Sequence, residues 1–548
     1  MQCMQTKKQG DNKMKGSDEM KRLGRYSGYN LQTLRRDIIA GIIVGIVAIP
    51  LGMSFAIASG VNPEYGLYTV IIGGLLISLL GGSRFQIGGP TGAFVPILLG
   101  VVIQFGYQDL LVAGIMAGIL LVIFGLLKLG SLIKFIPRPV VVGFTAGIAV
   151  IIFSGQIGNF TGIQAEQEEG FLPKMQALLA AVDTINLYSL IIAGVSLAAI
   201  LLTPKILPKV PGALAGLILS TVVAVLFFQG QVATIGSVYG DIPSQLPQLQ
   251  LPAFTLDKIL YLLPSAVAIA LLGGVESLLS ATVADNMAKT KHHSNRELIG
   301  QGVANIAVPL FGGIPATGAI ARTATNIRSN AFSPVSGVVH CAFVLIILLL
   351  LAPYASAIPL ASMAPILMVV AWNMSERKEV AHIIKMRTFD SFILIVTFAL
   401  TVLADLTVGV GCGLLLAFVV FVKRMSTVLF VKDEQIHVKE TDGVRMWQFE
   451  GPLFFGSTDI LEEVVEKTIN EEPDSLILDL QKVSYMDTSA EAALHKLVDH
   501  YEADGKQLLF LGVHGQPERL LQKTGLLAKV GEEYTVNKRE EAVRICTS

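Results

Sequence analysis

From residue 37 to about 424 the chain is a succession of apolar runs separated by short polar stretches. A helix that crosses a bilayer needs ~20 predominantly apolar residues, and these runs reach that length. They centre near residues 48, 73, 98, 118, 149, 195, 220, 272, 304, 323, 344, 366, 395 and 415, which predicts fourteen helical spans, two of them short and rich in Gly and Pro. After about residue 430 the pattern changes to mixed charged and apolar sequence. MWQFEG, SLILDL and QLLFLGV read as short buried strands, whereas ILEEVVEKTINEE, SAEAALHKLVDHY and QPERLLQKTGLL read as amphipathic helices. That alternation predicts helices packed on a sheet. The expected organisation is a cytoplasmic tail at 1–30, an α-helical polytopic membrane domain at 31–428 and a small cytoplasmic α/β domain at 433–548.

Composition agrees with this reading. The chain is 52% apolar and only 15% charged, where soluble domains carry about a quarter charged residues. The net charge of −1 says little about partners, but the placement of charge says more. Cytoplasmic loops hold the excess of Lys and Arg. Here the tail carries Lys21, Arg22, Arg25, Arg35 and Arg36. Arg84 follows span 2, Lys128, Lys134 and Arg138 follow span 4, and Lys205 and Lys209 follow span 6. Lys289, Lys291 and Arg296 follow span 8, Arg328 follows span 10, Arg377, Lys378, Lys385 and Arg387 follow span 12, and Lys423 and Arg424 follow span 14. Loops after odd spans are nearly free of basic residues; the one at 161–186 has Glu166, Glu168 and Glu169 against a single lysine. The alternation predicts an even number of spans with both termini cytoplasmic; the expected location is the plasma (inner) membrane. The N-terminal tail is too polar for a signal peptide.

Enzymatic chemistry finds no footing. Cys3, Cys341, Cys412 and Cys546 are scattered, so neither a disulfide framework nor a zinc site is suggested. There is no P-loop, no dinucleotide fingerprint and no nucleophile elbow. The adjacent His292 and His293, beside lysines, read as a solvated loop. No metal, cofactor or nucleic-acid partner is expected.

The two Gly/Pro-rich spans carry the chemistry. GGPTGAF (88–94) in span 3 has an echo, GGIPATGAI (312–320), in span 10. Non-helical backbone inside a membrane is tolerated only where protein buries it or it lines a cavity. The breaks occupy corresponding places in two halves of seven spans, and because seven is odd the second half must run inverted. Paired interruptions in inverted repeats point to a transporter site. A half-helix starting after its Pro presents free N–H groups and the positive end of its dipole, and two such ends facing each other make an anion site. Thr91 and Thr317 can add hydroxyl donors, while Gly92, Gly318 and Ala319 keep the backbone accessible. Arg322, about one turn beyond Gly318, can bring positive charge to the same cavity. Glu276 sits within an apolar span with Ser280 four residues on, on the same helix face. Such a carboxylate is salt-bridged (to Arg322, for example), protonated or bound to a cation, and so suits coupling to protons or Na⁺. Asp285, farther along, reads as a solvated cap at the cytoplasmic end.

AIPLGMSFAIASGVNPEYGLYT (48–69), GGSRFQIGGPTGAF (81–94), LLGGVESLLSATVADN (271–286) and GGIPATGAIARTATNIRSN (312–330) together resemble the SulP family of anion transporters, the sulfate permeases. The resemblance implies a seven-plus-seven inverted repeat in which a core moves against a gate, with substrate between the N-termini of spans 3 and 10. It implies substrate contacts at Phe55, Thr91, Gly318, Ala319, Ile320, Ala321 and Arg322, and a coupling carboxylate at Glu276, to which the shared helix face adds Ser280 as a candidate coupling-ion ligand. Sodium-coupled bicarbonate carriers of similar sequence have aspartate where Glu276 stands, so the resemblance favours protons. Leu51 stands where many eukaryotic members have glutamine. The C-terminal domain resembles a STAS domain through SYMDTSAEAAL (484–494). There Ser489 occupies a position phosphorylated in some soluble relatives, although Asp487, Thr488 or Ser489 can equally be a helix cap.

The expected function is secondary active transport of a small anion (a sulfate-like oxyanion, bicarbonate or a dicarboxylate) by proton-coupled symport. The expected partners are that anion, a proton or sodium ion, the lipid bilayer and a second copy of the chain in a homodimer. The alternatives are a sodium-coupled bicarbonate symporter or an anion channel or exchanger. An importer of neutral nucleobases, which shares the fold, would need side chains that read base edges.

Overall fold

The computed structural model describes residues 29–131, 136–165, 170–207, 210–404, 406–438, 441–471 and 473–546. Lys21, Arg22, Arg25, Lys134, Glu166, Glu168, Glu169 and Lys209, used above to read sidedness, lie outside the described residues. Contacts divide the chain into two units, 1–414 and 415–548.

A helix lies at each of the fourteen predicted centres. They are α1 Leu31–Ala58, α2 Pro63–Leu80, α3 Gly92–Phe105, α4 Tyr107–Leu126, α5 Arg138–Gly155, α6 Leu187–Ile206 and α7 Gly212–Phe227. After these come α8 Leu256–Ala288, α9 Ser294–Leu310, α10 Ile320–Arg328, α11 Val335–Ala355, α12 Leu360–Met374, α13 Phe389–Leu403 and α14 Leu406–Ser426. Among the described residues, eight helices are long and apolar enough to cross a membrane; α3, α7 and α13 are apolar but shorter. At nine residues α10 is shorter still.

Lipid tails are as apolar as leucine, so membrane helices associate through close packing of small residues. The pairs α4–α9 and α1–α11 are built this way. A Cβ on Gly118 would meet the Gly302 carbonyl at 2.7 Å, and one on Gly41 would meet the Ser336 carbonyl at 2.5 Å. Helix α2 contains a π-helical turn at Thr69–Gly73. The Thr69 hydroxyl there accepts the Ile314 N–H at 2.8 Å, tying the turn to the chain that leads into the second break.

The central feature was not anticipated as strand. β1 (Gly88–Gly89) and β2 (Thr317–Gly318) pair antiparallel, Gly88 opposite Gly318 and Gly89 opposite Thr317. The two breaks thus meet in opposite senses, as inverted halves require. The second half-helix does not start directly after its proline: Pro315 is separated from α10 by Ala316, β2 and Ala319.

After α14 comes a five-stranded sheet in the order β3 (Phe430–Val438), β4 (Thr441–Glu450), β5 (Ser475–Lys482), β6 (Gln507–Leu511), β7 (Thr535–Val536). β3 is antiparallel to β4; the remaining pairs are parallel. The helices α15 (Thr458–Glu471), α16 (Thr488–Ala503) and α17 (Gly515–Thr524) fall where the amphipathic pattern placed them. The edge strands β3 and β7 and the final helix α18 (Arg539–Cys546) were not read in advance. The period-2 geometry of β5 sends Leu476, Leu478 and Leu480 into the core under α15–α17, and Ile477 into a second core with Ala542 and Cys546 of α18.

Candidate functional site

The β1–β2 pair is held by polar groups converging from α10 and α8. The Ala319 N–H, just before α10, donates to the Ile87 carbonyl at 2.9 Å. The Ile87 N–H in turn donates to the Thr323 hydroxyl of α10 at 3.0 Å. Asn326 of α10 donates to the Phe85 carbonyl at 2.9 Å. From α8, the Gly273 carbonyl accepts from the Thr317 hydroxyl at 2.9 Å. Polar groups in a dry interior must be satisfied by each other, and these bonds meet that requirement for backbone that no helix serves.

Around this pair the predicted residues gather. Thr91 is the N-cap of the helical segment that opens α3, and its hydroxyl donates to Glu276 Oε2 at 2.8 Å. Arg322, in the first turn of α10 and only 2% exposed, donates through Nη2 to the Pro90 carbonyl. Its Nη1 is buried without a partner. No ion pair joins Arg322 to Glu276; each bonds one of two consecutive residues, Arg322 the Pro90 carbonyl and Glu276 the Thr91 hydroxyl. Gly89, at φ +149°, lies against the guanidinium: a Cβ there would stand 2.5 Å from Nη1. That backbone region is open essentially to glycine alone, so glycine is what lets the arginine approach.

Phe55 of α1 is buried and stands beside the start of α3, with Cε1 3.3 Å from where a Gly92 Cβ would lie; Ile152 of α5 and Met374 of α12 share that spot at 2.9 and 3.4 Å. Gly318 and Ala319 are buried in and just after β2, whereas Ile320 and Ala321, on the first turn of α10, are exposed. The first N–H groups of a helix have no intrahelical acceptor, and in α10 they belong to this uncovered turn. Ser280 does not reach Glu276: its hydroxyl bonds to Thr323 at 3.3 Å, which places it in the scaffold of the breaks.

Sequence reasoning passed over a polar stripe on α9. Glu297, Gln301 and Asn305 recur every four residues, and all are buried. Glu297 Oε2 accepts the Gly82 and Ser83 N–H groups at 2.7 and 2.9 Å. Its Oε1 accepts from Gln301 at 3.0 Å. Asn305 clamps Ala316, donating to its carbonyl at 2.7 Å and accepting its N–H at 2.8 Å. The spacing was a readable signal, since three polar residues on one face of a span must have partners. Gln86, which donates to Ser277 at 2.8 Å, belongs to the same layer.

Two loop assignments change. His292 is not solvated: its side chain is 7% exposed, with Nδ1 2.7 Å from Asp285 Oδ2 and Nε2 3.1 Å from the Ser294 hydroxyl. Asp285 also takes the His292 N–H and the Thr290 hydroxyl, both at 2.8 Å, so it organises the turn after α8. In the soluble unit Asp487 is the cap of α16, accepting the Ser489 and Ala490 N–H groups at 3.0 Å. Ser489 is half-buried in the first turn that this cap holds.

Comparison with known proteins places this geometry. The profile of the sulfate permease family matches residues 34–397, and that of the STAS domain matches residues 435–542. The chain is 58% identical over 523 residues to "Putative sulfate transporter YvdB" of Bacillus subtilis (strain 168), covering 94% of this chain and 99% of that one. It is 30% identical over 546 residues to "Bicarbonate transporter BicA" of Picosynechococcus, covering 94% and 95%. The solved structure of SLC26A9 superposes with a TM-score of 0.84 at 18% identity, covering 98% of this chain and 95% of that one, which shows the fold. A helical membrane core with two breaks paired at its centre, followed by a STAS domain, belongs to the sulfate permease family, and this chain is a member of it.

Proposed function

We propose that this protein is a secondary active transporter that carries a small anion together with a proton. The anion is held between the N-termini of α3 and α10 by backbone N–H groups, the Thr91 hydroxyl and Arg322, against Phe55. The observation that carries this reading is the buried, unpartnered Nη1 of Arg322 beside the paired breaks. A buried guanidinium N–H without a protein acceptor is costly to leave unbonded, and an oxyanion is the group that satisfies it best. The names of the relatives at 58% and 30% identity, a sulfate and a bicarbonate transporter, support an inorganic oxyanion as cargo.

Coupling follows from the Thr91–Glu276 bond. An ionised Glu276 holds the Thr91 hydroxyl and repels an arriving anion; two like charges about 6 Å apart at an effective dielectric of about 20 repel by roughly 3 kcal/mol. A proton on Glu276 removes the repulsion and frees the hydroxyl to turn to the substrate. The moving core would carry both sites across the bilayer, with both termini cytoplasmic and the STAS domain serving dimerisation and regulation, including modification at Ser489.

The test is uptake of labelled sulfate, bicarbonate and fumarate into proteoliposomes under imposed pH or sodium gradients. Accumulation of one of them above its equilibrium level when the outside is acidic is the expected result. Equilibration without accumulation would make the protein a channel, and accumulation driven by sodium alone would move the coupling to that ion.

A further inference from the structure

A cavity of about 150 Å³ opens where the C-terminal ends of α1, α3 and α5 come together. Its walls include Ile57, Ile103, Ile152, Gln156 and Asn159, and Lys174 closes one side. Ile152 also stands against Gly92, so one side chain borders both this cavity and the start of α3. Lys174 comes from the short helix Phe171–Ala180 between α5 and α6. Its ammonium lies against the last turn of α5, 3.4 Å from where a Gly155 Cβ would be. Carbonyls at that helix end attract a cation, yet among the described residues Lys174 has neither an ion pair nor a hydrogen bond. Burial holds it below the usual lysine range. Beside it the Gln156 carboxamide is buried and accepts from Asn159 at 3.4 Å, which leaves the Gln156 NH₂ without a protein acceptor among the described residues. A cation with no counterion among the described residues and an amide donor in the same cavity make the chemistry of an anion subsite.

We infer that this cavity is a second anion-binding station, in which Lys174 and Gln156 collect a small oxyanion or carboxylate before it reaches the α3–α10 site. The station rests on the anion-transport reading for its place on a route, though not for its charge. It is an entry site on the face where α1, α3 and α5 end, the outer face in the orientation proposed above.

Its charge is read without knowing the cargo. Asn159→Cys places a thiol in the cavity of the full-length protein. Membrane-impermeant methanethiosulfonates bearing a sulfonate or a trimethylammonium group are then compared on intact proteoliposomes, as the increment in labelling over the parent chain. The sulfonate reagent is expected to react about threefold or more faster, relative to its cationic counterpart, than in the same variant carrying Lys174→Gln. The preference shrinks as salt is raised, and 10 mM sulfate protects the thiol from the sulfonate reagent. Equal rates in the two backgrounds, or a cationic preference showing that acidic neighbours neutralise Lys174, would overturn the inference. Should the Cys variant fail to fold, Lys174→Gln alone is expected to raise the KM for labelled sulfate or bicarbonate several-fold at unchanged kcat, with Lys174→Arg restoring it. An unchanged KM in an active Lys174→Gln protein refutes the station while leaving transport intact. Absence of any uptake, with the reagent preference preserved, refutes the transport reading instead.

Discussion

At the scale of single residues the site is an argument about Arg322 and Glu276. Arg322 spends one N–H group on the Pro90 carbonyl and leaves Nη1 for a ligand. Lysine would keep the charge but lose the planar fork that serves both partners. Arg322→Gln is therefore expected to lower anion uptake on the order of 100-fold, the cost of removing one partner of a buried charged contact; Arg322→Lys should fall between the two. Uptake by Arg322→Gln within a factor of two of the parent would separate the guanidinium from the substrate. Glu276 predicts a different signature. Its carboxylate bonds the Thr91 hydroxyl through Oε2, and Gln has the same shape but does not titrate. Glu276→Gln should abolish accumulation driven by a pH gradient while leaving substrate binding, measured by titration calorimetry in detergent, within a few-fold of the parent. Proton-driven accumulation that persisted in this variant would remove Glu276 from the coupling.

The elements show how much could be read from sequence and why the rest could not. Apolar run length located the helices, because a lipid-exposed segment that crosses a bilayer must satisfy its backbone hydrogen bonds within itself. Clusters of Gly and Pro located the breaks, because several together weaken a helix where single prolines such as Pro50 and Pro264 stay inside one. What sequence did not show was that the broken ends pair as strands: two residues on each side are too few to leave a period. The order β1–β2 comes from tertiary support, and much of that support is the Glu297–Gln301–Asn305 face of α9. Asn305→Leu strips both bonds from Ala316 and buries its carbonyl and N–H unsatisfied, a loss of roughly 2–4 kcal/mol. A clearly lowered thermal midpoint in detergent, with uptake reduced in parallel, is expected; an unchanged midpoint would show the clamp to be dispensable. In the soluble unit β3 escaped notice because its polar residues belong to an edge network. Asp433 of β3 accepts from Arg445 of β4 and from Lys467 of α15. Arg445, then Lys467, holds the Asp433 carboxyl below its ordinary value. A carboxylate depressed in the folded state adds stability that is present above its unfolded pKa of about 4 and is lost as pH falls through the folded value. Asp433→Asn should therefore lower stability at pH 7 and flatten its decline below pH 4, read from Trp447 fluorescence in a Trp372→Phe background. Parallel acid curves for the two proteins would count against the network.

For the whole molecule the decisive quantity is the net charge moved per cycle. Arg322 and Glu276 travel with the protein in both directions, so their own charges cancel over a complete turnover. What remains is the anion and whatever proton accompanies it inward. Among the described residues, Glu276 is the carboxylate bonded to the site, through Thr91, and one such group delivers one proton per anion. A monovalent anion then crosses with no net charge, whereas a divalent anion carries one negative charge inward with each turnover. Moving one elementary charge through 100 mV corresponds to about 2.3 kcal/mol, enough to alter accumulation by roughly 50-fold at equilibrium. Proteoliposomes clamped inside-positive with a potassium gradient and valinomycin should therefore accumulate sulfate to a higher ratio than unclamped ones at the same pH gradient. Bicarbonate accumulation in the same vesicles should be indifferent to the clamp. If sulfate proves insensitive, a second proton must enter with it and a second titrating group must serve the site. If bicarbonate responds to the clamp, the proton does not travel with the anion, and the bond between Thr91 and Glu276 serves to shape the pocket.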